Sequence, residues 1–182
     1  MAKKIFIILF ALFIATSFEY AQSNKIVQIN FDYTKREGFS SNQIAIWLED
    51  ANGNYIKTIY ITDFTGRREG WKKRNQSLSN WQKKANAIKM SQSEIDAVSK
   101  ATPKQGNVNI IWDCKDNNGK LVKDGNYKIV VEATIYQDNN VLYTAEINIG
   151  DKANSQIAVP KYSKAGAKDI DIIKNVKVSF NP

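Results

Sequence analysis

The sequence predicts an all-β protein, an immunoglobulin-like antiparallel β-sandwich with a short helical, basic insertion around residues 75–102. Apolar and polar residues alternate along most of the chain, which is typical of half-buried strands. Turn-forming pairs separate the alternating stretches, namely Asn52-Gly53, Asn118-Gly119 and Asp124-Gly125. Helices do not alternate with strands, which disfavours a parallel α/β sheet. Two packed antiparallel sheets account for all three observations.

Three strands are predicted in the first part of the domain. The stretches IVQINFDY, QIAIWLED and YIKTIYIT each alternate in period two. The second stretch has apolar residues on both faces, with Ile44, Ile46 and Leu48 on one and Ala45 and Trp47 on the other. Because Asn52 and Gly53 accept positive φ, the second and third stretches are predicted to form a β-hairpin.

The middle of the chain changes to a helical pattern. Apolar residues recur there at spacings of three and four: Leu78, Trp81, Ala85 and Ile88. This stripe predicts a weakly amphipathic helix. A second helix is predicted behind it, because Ser91 and Glu94 form a capping box in which each side chain satisfies the other's backbone N–H. Ile95 and Val98 then face inward, and Pro103 ends the helix.

Strands resume after the helical region. The stretches VNIIWD, YKIVVEATIY and VLYTAEINIG are predicted strands, and Asn139-Asn140 is the predicted turn between the last two. The stretch DIDIIKNVKVSF, near the C-terminal end, predicts one or two final strands.

Residues 1–23 are interpreted as a signal peptide. Lys3 and Lys4 precede the apolar run IFIILFALFIATSF, and Ala21 and Ser23 occupy the −3 and −1 positions of a cleavage site. An uncleaved anchor is the alternative, but the run is short for a membrane span. We therefore expect residues 24–182 to form a single β-sandwich domain. It would be periplasmic or secreted, with no transmembrane segment after cleavage.

The residue types present limit the chemistry. The chain has no histidine and a single cysteine, Cys114. This excludes Ser–His–Asp and Cys–His catalysis, disfavours zinc and leaves no internal disulfide. The sequence also lacks a phosphate-binding loop and a glycine-rich nucleotide fingerprint. We expect no catalytic residue, no metal site and no enzymatic activity.

The stretch WDCKDNNGKLVKDGNY, residues 112–127, is dense in turn residues. Its aspartates are placed to cap backbone N–H groups and its glycines to take positive φ. A calcium loop is the alternative, with oxygen ligands from Asp113, Asp116, Asn118 and Asp124. The spacing lacks the closing glutamate of an EF-hand, so structural turn chemistry is favoured.

Two family resemblances involve this region. Residues 112–127 resemble the signature of the flagellar hook-cap immunoglobulin-like domain, with Cys114 where that pattern usually has glycine. This resemblance implies an adaptor in envelope or flagellar assembly. A wider set of stretches looks like the predicted periplasmic family called domain of unknown function 2271, namely IAIWLEDANGNYIKTIYITDFTGRREGW, LSNWQKKA, IDAVSKATPKQG and residues 112–136. That resemblance, over most of residues 42–150, implies an exported β-rich protein. Its members are often encoded near flavin transferases and respiratory membrane proteins.

The stretch DAVSKAT resembles the target of flavin transferases, D-x-x-S/T-G-A-T/S, in which a hydroxyl carries FMN through a phosphoester. Asp96, Ser99 and Thr102 match the pattern, and Thr102 would be the acceptor. Lys100 departs from it, because the pattern has glycine or another small residue there. The resemblance implies covalent FMN on Thr102 and a redox carrier. The favoured alternative is a capped helix and its end, with no cofactor.

Basic residues are concentrated in residues 67–89, which we call the basic segment. It holds eight basic residues against Glu69 alone, a formal charge of +7, whereas the whole chain carries +8. Candidate contacts for an anion or partner are Arg67, Arg68, Trp71, Lys72, Lys73, Arg74, Lys83 and Lys84. Trp71 lies among charges and is the preferred contact residue, whereas Trp81 is expected to pack on the sandwich.

Export determines which partners are available to this segment. Basic residues interleaved with aromatics resemble a nucleic-acid surface in composition, but an exported protein does not meet cytoplasmic nucleic acid. The remaining partners are an envelope protein or an anionic envelope component, and a solvated loop is the alternative. We expect an exported, non-enzymatic binding or scaffolding protein of the cell envelope.

Overall fold

The computed structural model describes residues 25–38, 41–136, 139–164 and 171–182, so the predicted signal peptide lies outside the described residues. The strands are β1 (Ile26–Tyr33), β2 (Ile44–Asp50), β3 (Tyr55–Thr62), β4 (Ser99–Lys100), β5 (Gly106–Trp112), β6 (Gly125–Tyr136), β7 (Asn139–Ile149), β8 (Asn154–Ile157), β9 (Val159–Tyr162) and β10 (Ile173–Asn181). The helices are α1 (Gly70–Lys73), α2 (Ser79–Ala85) and α3 (Gln92–Val98), with a 3₁₀ turn at Ala87–Lys89.

The strands form two sheets arranged as a sandwich. One sheet has the order β5-β1-β10-β8 and the other has the order β4-β3-β2-β6-β7-β9. All pairs are antiparallel except β3 with the two-residue strand β4. The predicted all-β, antiparallel two-sheet fold is therefore confirmed. The immunoglobulin-like type stays a prediction.

An inner core fills the space between the two sheets. Strand β1 shows how the sequence builds it, because every second residue is buried: Val27, Ile29, Phe31 and Tyr33. Strand β1 is paired on both sides, with β10 and with β5. Because side chains alternate along a strand, its other residues lie on the outer face of the sheet. The period-two pattern of the sequence is thus the pattern of the inner core.

An outer core lies between the larger sheet and the helical insertion. Strand β2 is buried on both faces, with Ile44, Ile46 and Leu48 in the inner core and Ala45 and Trp47 in the outer core. The insertion contributes Trp71, Leu78, Trp81, Ala85, Ala87 and Ile95 to the outer core. The two apolar faces read from the β2 sequence therefore have different partners.

The structure corrects the predicted insertion at both of its ends. Helix begins at Gly70 rather than near residue 75, and α3 ends at Val98, before the strand β4. The capping box is confirmed: Ser91 Oγ accepts from the Glu94 backbone N–H, and Glu94 accepts from the Ser91 backbone N–H. Ile88 departs from the predicted apolar stripe, because α2 ends at Ala85 and leaves that side chain 82% exposed.

The turn predicted at Asn139-Asn140 is wrong. Both residues belong to the start of strand β7, where they pair with Tyr136 and Thr134 of β6. The Asn52-Gly53 hairpin is confirmed, and Gly53 has the positive φ of 84° that this turn needs.

Candidate functional site

The basic segment is held on the sandwich by polar contacts between helix α2 and strand β6. Leu78, at the start of α2, has a φ of 52° and no capping side chain of its own. Side chains of β6 take over this role. Thr134 Oγ1 accepts from the Leu78 N–H at 3.1 Å, and Glu132 accepts from the backbone N–H groups of Asn80 and Trp81 at 3.2 and 2.8 Å. Helix α2 is thus capped by the sheet.

Glu132 is the centre of this attachment. Its side chain is fully buried and also accepts from the Asn80 side-chain amide at 2.8 Å. Burial raises the pKa of Glu132, and its hydrogen bonds from Trp81 and Asn80 oppose that rise. The role of Glu132 is not predicted from the sequence, because a glutamate in an alternating strand is expected to face solvent. The sequence feature that indicates an element packed on this side of the sheet is the second apolar face of the adjacent strand β2, because an apolar face is expected to be buried.

Two indoles complete the outer core. The Trp81 Nε1–H donates to Thr58 Oγ1 at 2.9 Å, and the Trp47 Nε1–H donates to Glu49 Oε1 at 2.8 Å. Trp81 is fully buried, which confirms its expected packing. Trp71 is only 8% exposed and packs in the outer core, but it also lines a surface groove, so its role as a contact residue stays a prediction.

The basic side chains fall into two groups. Three are engaged in structural contacts: Arg67 with Asp63 and the Ser99 carbonyl, Lys84 with Glu49 and the Gly53 carbonyl, and Lys73 with the Arg68 carbonyl. The others point outward from the described surface. Arg68 and Arg74 lie over the Phe64 ring, Lys72 lies over Trp71 and pairs with Glu69, and Lys83 and Lys89 make no ion pair with any described residue.

A groove runs along the outward group. It has a volume of about 670 Å³ and lies between α1 and α2. Its lining residues are Trp71, Lys72, Asn75, Ser79, Gln82, Lys83, Asn86 and Ile88. Aromatic and aliphatic surface is therefore combined with amides, a hydroxyl and two ammonium groups, which is a suitable lining for an anionic, partly apolar partner.

The candidate flavin residues do not form one accessible set. Ser99 is fully buried, and its hydroxyl donates to the Ile95 carbonyl at 2.7 Å. Asp96 is exposed on α3 and accepts from Gln92. Thr102 is exposed in the loop that follows β4. Of the two hydroxyls in the pattern, only that of Thr102 is available to another protein.

A second groove, of about 540 Å³, adjoins Thr102 along the edge strand β5. Its lining includes Tyr60, Ala101, Pro103, Ile110 and Ile111. The Tyr60 hydroxyl donates to the Ala101 carbonyl at 3.1 Å, which fixes the loop beside the groove. Trp81 is fully buried in the outer core, so it cannot stack on a flavin at this groove.

The turn region after β5 has a structural explanation. Trp112 is buried, and its Nε1–H donates to the Lys115 carbonyl at 2.8 Å, as does the Lys57 ammonium. Asp116 accepts from the backbone N–H groups of Asn118 and Lys120. Among the residues that the structure describes, no group of three or more acidic or thiol side chains is placed to hold a metal ion.

Cys114 occupies the inner core with an unusual backbone. Its side chain is fully buried and its φ is 55°, a conformation that favours glycine. Burial raises the pKa of the thiol to about 12. A protonated, inaccessible thiol is not a nucleophile, so this residue offers no reactive centre.

A buried polar network joins the last strands, and the sequence pattern does not predict it either. The hydroxyls of Tyr143 and Tyr162 both donate to Asp171 Oδ2 at 2.9 Å, and the Ile173 N–H donates to Oδ1 at 3.0 Å. Burial raises the pKa of Asp171. With every carboxylate oxygen satisfied, the network ties β10 to β7 and β9 rather than forming an open site.

Comparison with known proteins identifies the family. The family described as predicted periplasmic protein, domain of unknown function 2271, matches residues 24–166. The chain belongs to this family. Its description agrees with the predicted periplasmic localisation. The resemblance of residues 112–127 to the hook-cap domain is not confirmed. No curated protein and no solved structure matches the chain. In the part of the chain that the structure describes, no helix is long and apolar enough to cross a membrane.

Proposed function

We propose that this protein is a non-enzymatic binding protein of the cell envelope that docks on an anionic partner through its basic segment. The observation that carries the proposal is the outer core. Buried Glu132, Trp81 and Thr58 hold the segment in one place, so its outward cations form a fixed surface. A merely solvated loop would not need this attachment.

The distribution of charge supports the same proposal. The basic segment carries +7, and the other residues from 24 onward sum to zero. One face of the protein therefore attracts anions, and Lys72 and Lys83 both line the groove on that face. The predicted envelope partner, whether a protein or an anionic component, would meet this face.

Chromatography on immobilised heparin, used as a polyanion probe, tests the docking surface. The triple variant Lys72→Gln, Lys83→Gln, Lys89→Gln should elute at clearly lower salt than the wild type, because screening and charge removal weaken the same attraction. The matched control is Lys120→Gln, Lys123→Gln, Lys152→Gln, which removes the same charge from exposed positions elsewhere. Equal elution of the two triple variants would contradict the proposal.

A second candidate function is a redox carrier with FMN on Thr102. The observation that favours it is the groove beside the exposed Thr102, lined by Tyr60, Ile110 and Pro103, which offers apolar surface to an isoalloxazine ring. Arg67, bonded to the Ser99 carbonyl three residues before Thr102, brings a cation to the same loop. Lys100 is exposed and remains the departure from the target pattern.

Intact mass distinguishes the two candidates. The protein should be co-expressed with an active flavin transferase, with Thr102→Ala as the control. With a flavin dinucleotide as the donor, the threonine oxygen forms an O–P bond as the pyrophosphate P–O bond breaks, and the nucleoside monophosphate leaves with the hydroxyl proton. The mass of the protein therefore rises by one FMN less one water. That gain in the wild type alone would establish the carrier. An unmodified wild-type mass would remove this second candidate and leave the first unaffected.

A further inference from the structure

We infer that the basic segment is a peripheral membrane-binding face that rests on an anionic phospholipid bilayer, with Ile88 as the side chain that enters the lipid. This inference rests on the proposed function and names its partner. It is carried by the position of one large apolar side chain within the most basic surface of the protein.

The exposure of the Ile88 side chain is not explained by binding to a soluble polyanion. Its side chain is 82% exposed, whereas that of its neighbour Ala87 is fully buried. The 3₁₀ turn Ala87–Lys89 thus directs the isoleucine outward. Segments that lie in the membrane interface combine lysines and arginines with projecting apolar residues in this way. On a hydrated glycan or nucleic acid an exposed isoleucine would gain nothing.

The cations around Ile88 match an anionic lipid surface. Lys89 follows it in sequence, and Lys83 lines the same groove. Each lysine or arginine near such a surface strengthens adsorption by about fivefold. Because the other residues from 24 onward sum to zero charge, the field of the protein would orient this face, and not another, toward the bilayer.

The groove itself suits lipid headgroups. The ammonium groups of Lys72 and Lys83 can meet a phosphate, and the side-chain amide of Asn75 can donate to its oxygens. The edge of Trp71 and the Ile88 side chain supply the apolar surface that faces the acyl boundary. The outer core already fixes these elements, so binding does not have to order a loop.

Vesicle co-sedimentation tests the inference. The mature chain should partition onto phosphatidylcholine vesicles in which about a third of the lipid is phosphatidylglycerol, and at least tenfold less onto pure phosphatidylcholine. Ile88→Ser should lower partition onto the anionic vesicles roughly fivefold or more. Since this side chain is exposed, the substitution does not threaten the fold. The matched control is Ile157→Ser, which removes a side chain that is 71% exposed outside the basic segment.

A site-specific probe tests insertion directly. Ile88→Cys and Ile157→Cys can each be labelled with an environment-sensitive fluorophore, because the native Cys114 is fully buried and escapes labelling. The label at position 88 should shift to shorter wavelength on anionic vesicles, and the label at 157 should not. An unchanged label at 88, or the same shift at both positions, would overturn the inference.

Anion docking and membrane binding can be contradicted separately. If heparin retention depends on Lys72, Lys83 and Lys89 but Ile88→Ser partitions onto vesicles like the wild type, the membrane inference is wrong and the docking surface stands. If the two triple variants elute alike from heparin, the proposed function is contradicted as well.

Discussion

The inner core and the outer core are built by different means. The inner core joins two sheets through alternating apolar residues, and its backbone polar groups are satisfied by strand pairing. The outer core is smaller, and it depends on side chains that satisfy a helix from outside: Thr134, Glu132 and Thr58. The apolar pattern specifies the strands of the first region, where the bond from Tyr143 to Asp171 is a buried polar addition. The second region needs a few buried polar residues to be placed correctly, so the two should respond differently to substitution.

The largest expected effect comes from the inner core. Phe31→Ala should lower the free energy of unfolding by about 4 kcal/mol, because it removes a fully buried ring and leaves a cavity between the sheets. Urea denaturation followed by far-UV circular dichroism measures this. The loss should appear as one cooperative transition, with hydrogen exchange raised in both sheets together. Phe31→Leu is the control and should cost less than half as much. If hydrogen exchange in Phe31→Ala rose only in the basic segment, the proposed difference between the two cores would be contradicted.

The next effect belongs to the outer core. Glu132→Ala should lower the free energy of unfolding by about 3 kcal/mol, because the N–H groups of Asn80 and Trp81 lose their buried acceptor. Hydrogen exchange should rise first in α2, while β1 and β10 stay protected. Glu132→Gln keeps one acceptor oxygen and should cost less. If exchange in α2 is unchanged in Glu132→Ala, the carboxylate does not hold the insertion.

The same contrast explains what the sequence predicts well. The alternation in β1 and the two apolar faces of β2 predict strands in both sheets, because every second side chain of a strand lies on the same face. The capping box at Ser91 and Glu94 is equally local. Contacts between residues that are distant in sequence cannot be predicted from such local patterns. Neither the role of Glu132 nor the exposure of Ile88 follows from spacing, since both depend on where α2 meets the sheet and where it ends.

The candidate sites follow the same division. The basic segment was found from composition, which needs no fold, but the burial of Trp71 was missed because a residue between charges can still face a core. The groove beside Thr102 was also beyond prediction. It lies between strand β5 of one sheet and the loop after β4, which belongs to the other sheet. How close these two elements lie depends on the packing of the two sheets, which the local sequence does not show.

A smaller effect tests backbone strain in the inner core. Cys114→Gly and Cys114→Ala both remove the buried sulfur, but only alanine retains a Cβ at a φ of 55°. Cys114→Gly should therefore be more stable than Cys114→Ala by about 1 kcal/mol. Urea denaturation of the two variants measures the difference directly. A more stable alanine variant would show that packing, and not φ, decides this position.

The smallest expected effect is a pH dependence that isolates the outer core. Burial raises the pKa of Glu132 above its ordinary value of 4.5, so the folded protein binds this proton more tightly than the unfolded chain. The contribution of Glu132 to stability is therefore greatest below about pH 4.5 and is lost as the pH rises through the folded pKa.

Comparison with Glu132→Gln separates this contribution from those of the other carboxylates. Exposed groups such as Asp50 and Asp116, whose pKa values are lowered by hydrogen bonds, titrate equally in both proteins and cancel in the difference. As the pH falls from 7 toward 4.5, wild type should gain stability relative to the variant. Urea midpoints at matched pH values measure the gain. A relative loss on acidification would mean that the three N–H donors outweigh burial, and that the carboxylate is held ionised beneath α2.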